Sequence, residues 1–284
     1  GVGVLGYYTG HDAPEGQGAT DNQFIYNKIV LNGTYCVEGI IIGDESENTT
    51  ISGNVVDAKA VNVTYGINLE MSQSSIIKQN DITLNSDIAY GVEVYGSSNN
   101  VIDSNDFEIN AKQAYGLILN NGGDNEISSN VIFMNVTGEE ITYRNFDSVG
   151  TGSTGIYLKS NSSDNSIVNN KITTVKGYAV VIDDVAVNND IVDNYLDSEF
   201  GFGNSAVNSS ANNNVEGNYK YLTTGKLEDV SIKYLDNGTF VFTTTEGNLD
   251  GATVEFSILE ESFGSAVVNN GTARLNFVSG YVPG

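Results

Sequence analysis

Asn100-Val101-Ile102-Asp103-Ser104-Asn105-Asp106-Phe107 is answered by Asn125-Glu126-Ile127-Ser128-Ser129-Asn130-Val131-Ile132 and again by Asn165-Ser166-Ile167-Val168-Asn169-Asn170-Lys171-Ile172. The shared pattern is N-x-[IV]-x-x-N-x-[IVF]. Its second asparagine can be followed along most of the chain, as Asn27, Asn54, Asn80, Asn105, Asn130, Asn170, Asn194 and Asn218, at separations of 27, 26, 25, 25, 40, 24 and 24 residues. Only an internal repeat produces such a column.

A second line runs in step with the first: Tyr65-Gly66-Ile67-Asn68-Leu69, Tyr90-Gly91-Val92-Glu93-Val94, Tyr115-Gly116-Leu117-Ile118-Leu119, Thr154-Gly155-Ile156-Tyr157-Leu158 and Tyr178-Ala179-Val180-Val181-Ile182. Apolar residues alternate with period two, β-branched types dominate, and Gly or Asn interrupts every few positions, which excludes helical repeats of similar length. The pattern predicts an all-β fold. Each unit of about 25 residues forms one coil of a parallel β-helix with two or three short strands, about eight coils in all. Stacked coils bring like residues to the strand spacing of about 4.8 Å, where asparagine amides hydrogen-bond up and down as a ladder. Asn105 and Asn130 are then buried, and Asn99 and Asn121 exposed. Inward positions are Ile40, Ile42, Ile67, Leu69, Val92, Val94, Leu117, Leu119, Ile156, Leu158, Val180 and Ile182, and the column Tyr65, Tyr90, Tyr115, Tyr178 is a stack of rings with the parity of that core.

These two lines resemble the right-handed parallel β-helix repeats shared by pectate-lyase-like proteins and by adhesin-like surface proteins of methanogenic archaea, over about residues 22–220. The likeness to the archaeal proteins implies export, glycosylation and an attachment or cell-envelope role.

The 40-residue spacing is about 15 residues too long for one coil, so an insertion protrudes at about residues 138–153. It carries Glu139, Tyr143, Arg144, Phe146 and Asp147, and insertions on repeat scaffolds commonly line a binding face, which makes these the candidate partner contacts. Beyond residue 220 the asparagine column stops. Alternating segments at 230–234, 238–242, 252–258, 266–268 and 273–277, with turns such as Asn269-Asn270-Gly271, predict a small antiparallel sandwich over 221–284. It resembles the immunoglobulin-like modules of the same archaeal proteins, and its roughly 63 residues fall short of the ~100 of a complete immunoglobulin fold. Residues 1–21 read as a strand or cap segment outside the coil register.

Charge narrows the function. Thirty-six Asp and Glu against 12 Lys and Arg give a net charge of −24, which repels nucleic acid. No apolar run approaches the ~20 residues of a membrane-spanning helix. The single cysteine, Cys36, excludes an internal disulfide and reads as a buried small apolar residue, and the single histidine, His11, excludes a His-His metal cluster. No cofactor is expected to be required. Calcium is the one candidate ion, with hard oxygen ligands at Asp44, Glu45, Glu47, Asp183 and Asp184. The pair Asp183-Asp184 is also the best catalytic candidate, but neighbouring residues on a strand point to opposite faces and no His or Arg accompanies them. N-x-[ST] acceptors occur at Asn32, Asn48, Asn62, Asn135, Asn161, Asn208, Asn237 and Asn270; chance alone gives about six, so placement says more than number.

The expectation is thus a non-catalytic structural or adhesive protein of the cell surface or envelope. Its partners would be copies of itself, in a filament or sheath built by strand donation, or a surface glycan. A polysaccharide-cleaving or carbohydrate-binding protein of the pectate-lyase-like type is the alternative.

Overall fold

The computed structural model describes residues 4–9, 19–43, 45–138, 153–183, 185–198, 206–208, 212–218, 225–227, 237–244, 253–258 and 261–278. The calls on Glu139, Tyr143, Arg144, Phe146, Asp147, Asp44, Asp184, His11 and the 230–234 segment fall outside them. The chain divides into two compact units, Gly1–Lys220 and Tyr221–Gly284.

In the first unit every coil turns its chain with single residues in the left-handed region. Three turn columns recur: Met71, Gly96, Asn121 and Ser160 at one corner; Ser74, Asn99, Asp124 and Asp164 at the next; Gln79, Ser104, Ser129 and Asn169 at the third. Such positions favour Gly, Asn, Asp and small polar residues, the composition that marks these turns. Between the second and third corners lies a three-residue strand, and eight of these stack in parallel from Gln23–Ile25 to Asn214–Glu216. Eight rungs enclose seven full turns. Beyond the third corner the chain enters a 13-stranded parallel sheet that wraps two faces, and Asp81–Tyr95 and Asp106–Asn120 cross both faces as single 15-residue strands.

The asparagine column is a continuous ladder. Asn105 is typical: its backbone N–H and Nδ2 both donate to Asn130 Oδ1 (3.0 and 2.9 Å), Nδ2 also donates to the Ile77 carbonyl (2.9 Å), and its Oδ1 accepts both corresponding bonds from Asn80 (3.0 and 2.9 Å). Asn105 and Asn130 are buried, while Asn99 and Asn121 are exposed, each at φ 58°. The first asparagine of the motif forms a second ladder, Asn100–Asn125–Asn165–Asn189–Asn213, with the same paired bonds. All twelve inward positions named from the sequence lie in the core at 0–1% exposure.

Two differences from the sequence reading have physical causes. Val4–Thr9 is not outside the register: it pairs in parallel with Cys36–Ile42, Val4 opposite Val37 and Thr9 opposite Ile42, and adds a rung to the sheet. A 33-residue offset, longer than the coil period, hid it. The tyrosines are stacked, Tyr65 on Tyr90 at 4.6 Å and Tyr90 on Tyr115 at 5.3 Å between centroids, but they belong to a second apolar cluster with Val63, Ile118, Tyr157 and Val181, apart from the main core. The glycine column shifts the parity. A Cβ on Gly66 would lie 2.5 Å from the Gly91 carbonyl oxygen and 2.8 Å from Ile82 Cγ2, so this residue is pressed against the interior just as the inward Ile67 is. Two successive inward residues send the preceding tyrosine outward.

The insertion falls between Val131–Val136 and Thr154–Lys159, both of which pair with the single strand Asp106–Asn120 of the previous coil. Val136 faces Ala111 and Thr154 faces Tyr115. Thr137, Gly138 and Ser153 therefore match Lys112, Gln113 and Ala114 one for one, and residues 139–152 are the surplus.

In the second unit Gly225–Leu227, Asn237–Thr244 and Thr272–Val278 form one antiparallel sheet and Thr253–Ile258 and Glu261–Val267 another. Phe240 of the first stacks on Phe256 of the second at 5.6 Å, joining them around Val268 and Ala273.

Candidate functional site

The glycine bend exposes a face on which the coils differ. One column there reads Glu38, Tyr65, Tyr90, Tyr115, Thr154, Tyr178, and its neighbour reads Ile41, Asn68, Glu93, Ile118, Tyr157, Val181. Most members are apolar and pack together. Glu38 and Thr154 are the polar members of the first column besides the tyrosines, Asn68 and Glu93 those of the second, and Glu70, two residues beyond Asn68, lies beside Tyr95 in the next coil. Together Asn68, Glu70, Met71, Glu93 and Tyr95 line a pocket of about 340 Å³.

Its electrostatics follow from burial and from like charges. Glu93 is half-buried; desolvation first, then Glu70, with Glu38 adding to them and Lys159 opposing, pushes its carboxyl up to about 7. Glu38 is raised for the same reasons, burial and then Glu70, less the hydrogen bond it accepts from the Cys36 thiol at 3.8 Å. Burial beside Glu38 lifts that thiol to about 12, so Cys36, half-buried, is an unreactive one. Asn68 is 7% exposed; its Nδ2 donates to Glu70 Oε1 at 2.9 Å, and its Oδ1 accepts no hydrogen bond. The pocket therefore presents the carboxyl groups of Glu70 and Glu93 against the apolar flanks of Met71 and Tyr95, while Asn68 Oδ1 is closed off from solvent. A carboxyl held near neutrality beside a second carboxylate can exchange protons at physiological pH or receive a cation.

None of the residues singled out in the sequence lines this pocket. Asp183 ties down a strand end: Oδ1 accepts from Tyr157 Oη at 2.7 Å and Oδ2 from the Ser160 N–H at 3.1 Å. Glu45 is a half-buried turn residue at φ 56° and Glu47 is exposed on a bridge between Thr20 and Gln73. Among the described residues no three His, Cys, Asp or Glu side chains come together in a way that could hold a metal ion. Of the acceptor asparagines, Asn32, Asn48, Asn135, Asn161 and Asn270 are exposed and Asn62 is half-buried. The side chains of Asn208 and Asn237 are outside the described residues. A signal for the pocket was present in the sequence: the central x of Y-G-[IV]-x-[LV] is polar only at Asn68 and Glu93.

Among the described residues no helix is long and apolar enough to cross a membrane. The family model described as "Right handed beta helix region" matches residues 62–219. No curated protein matches the chain.

Proposed function

The chain belongs to the right-handed β-helix family, and we propose that it is an extracellular, non-catalytic adhesive or structural protein of the cell surface, of the archaeal adhesin-like kind, with an immunoglobulin-like second unit. The observation that carries this reading is the pair of amide ladders. They tie each coil to the next through buried, doubly bonded asparagines, a stiff backing on which the outer face is free to vary from coil to coil. Four exposed N-x-[ST] asparagines on that scaffold, with Asn270 in the second unit, suit a glycoprotein, whereas Asn62 is disfavoured because its Thr64 is buried against Ser86 Oγ at 2.7 Å. Calcium at the acidic turns and partner contact through the 139–152 segment remain part of the proposal. Filament growth changes its roles: Val4–Thr9 is paired within its own chain and, among the described residues, ends its sheet, so it would accept an incoming strand rather than be the donated one. Antibody to the folded chain should label intact source cells as strongly as lysed ones, and labelling that requires lysis would refute a surface role.

One observation favours the polysaccharide-cleaving alternative: Glu93, raised to about 7 beside Glu70, has the protonation of a general acid. Release of reducing ends from acidic polysaccharides that disappears in Glu93→Gln would establish it.

A further inference from the structure

The second amide ladder changes character at its first rungs. From Asn125 to Asn213 each ladder Oδ1 accepts the backbone N–H and the Nδ2 of the asparagine one coil earlier. Before Asn100 the same column reads Asn22, Thr49 and Ser75. Backbone bonds fix that register: the Thr50 N–H donates to the Asn22 carbonyl and the Ile76 N–H to the Thr49 carbonyl, both at 2.8 Å, as the Glu126 N–H does to the Asn100 carbonyl at 2.9 Å. Two rungs therefore carry a hydroxyl where the others carry an amide.

The two hydroxyl rungs are not equivalent. Ser75 is served by its neighbours: its N–H donates to Asn100 Oδ1 at 2.8 Å and its hydroxyl meets that of Ser72 at 3.2 Å, which also donates to the Ser46 carbonyl at 3.0 Å. Thr49 is fully buried, and its Oγ1 has no hydrogen-bond partner among the described residues. Asn22 Nδ2, one coil earlier in the column, is buried and without a partner as well. A hydroxyl oxygen stands one bond from Cβ and an amide oxygen two, so Thr49 stops short of the point at which a ladder Oδ1 would receive Asn22. Buried polar atoms are left unpaired rarely enough that a donor and a hydroxyl in register, both orphaned, point to a bound molecule between them.

The missing amide had two tasks, and they define that molecule. Its oxygen would accept from Asn22, and its Nδ2 would donate to a carbonyl of the coil before, as Asn125 does to Ser97 (3.2 Å) and Asn165 to Gly122 (3.1 Å). The equivalent carbonyl for rung 49 is that of Ala19, which accepts from the Glu47 N–H at 3.1 Å and has a second lone pair. A cation is turned away by the amide hydrogens of Asn22, and an anion would carry its charge into the interior at high cost. Water performs both tasks without charge. We propose that a buried water molecule forms this rung, accepting from Asn22 Nδ2, hydrogen-bonded to Thr49 Oγ1 and donating to the Ala19 carbonyl, the three bonds usual for a buried water. Solvent then continues the second ladder to Asn22, and the water leaves only when the first two coils part.

Oxygen-17 magnetic relaxation dispersion of the whole chain counts the water molecules held long enough to tumble with the protein. Thr49→Asn supplies the amide directly and should hold one fewer than wild type, with an unchanged far-ultraviolet circular dichroism spectrum. The nuclear Overhauser peak between water and the Asn22 Nδ2 protons should disappear with it. Thr49→Val is the second arm, keeping the shape of the side chain while removing its hydroxyl. A hydroxyl bonded to water is lost at a cost, so the denaturation midpoint should fall; a dry rung predicts the opposite, because removing an unmet hydroxyl relieves the interior. An equal count of held waters in wild type and Thr49→Asn, or a midpoint unchanged or raised in Thr49→Val, would overturn the proposal. If Thr49→Asn does not fold, the midpoint of Thr49→Val decides by itself.

Discussion

The edge built from ladder asparagines and the face built on the glycine bend belong to the same coils but obey different rules. Along the edge, every coil repeats one solution: a left-handed residue, then an asparagine whose amide is satisfied from both neighbours. Along the bent face the backbone repeats and the side chains do not, running from tyrosine to threonine in one column and from asparagine through glutamate to valine in the next. Repetition is cheapest where each copy completes the hydrogen bonds of the one before. Where neighbours need only pack, positions are free to diverge, and Asn68 Oδ1 goes unmet in the same column as the raised Glu93 carboxyl; on the edge, Asn22 Nδ2 and Thr49 Oγ1 go unmet by any described residue in the first coils, before the second ladder begins at Asn100.

That contrast is broken most severely at the edge. Asn105→Leu leaves the N–H and Nδ2 of Asn80 without their acceptor and the Ile77 carbonyl without its donor, and should lower unfolding free energy by about 3 kcal/mol or more in chemical denaturation. An unchanged midpoint would refute the ladder. Next comes Gly91→Ala, whose Cβ would clash with the Gly116 carbonyl oxygen and sit 3.0 Å from Phe107 Cδ1; the forced separation of two coils should cost about 1–3 kcal/mol by the same measurement.

On the bent face the sign reverses. Glu93 has its folded pKa raised above the unfolded value of about 4.5, so the unfolded chain gives up the proton first and stability falls as pH climbs from there to about 7. Glu93→Gln should therefore stabilise the protein by about 1–2 kcal/mol above pH 7 and have little effect below about pH 4, the full shift being reduced because the carboxyl is not wholly buried. A pH-independent difference between variant and wild type would refute the assignment.

Two smaller effects sharpen the comparison. Deleting 139–152 joins Gly138 to Ser153 in register with Gln113 and Ala114, and shortens the 40-residue spacing to 26, so the far-ultraviolet β signal should persist with a melting point within a few degrees. Loss of that signal would make the segment part of the core. Asn121→Gly, at an exposed left-handed turn, should change stability by about 0.5 kcal/mol or less, since glycine accepts φ 58° freely.

The sequence by itself determined the coil. Period, inward residues and the Asn27-to-Asn218 column were legible because a left-handed turn, a stacked amide and an alternating strand each demand a residue type at a fixed spacing, and every copy restates the demand. The second ladder was written in the same motif, and only the hydrogen bonds of Asn100 and Asn125 showed it to be one. What the tertiary structure alone decided lies where backbone geometry overrides alternation. The contact of Gly66 with Ile82 and Gly91 set which way Tyr65 points, and parallel pairing gave Val4–Thr9 its place despite an irregular offset. The meeting of Glu38, Glu70, Asn68 and Glu93 was decided there too. Charge repulsion and burial depend on distance in space, and a sequence fixes spacing along the chain but not which side of a bend a residue faces.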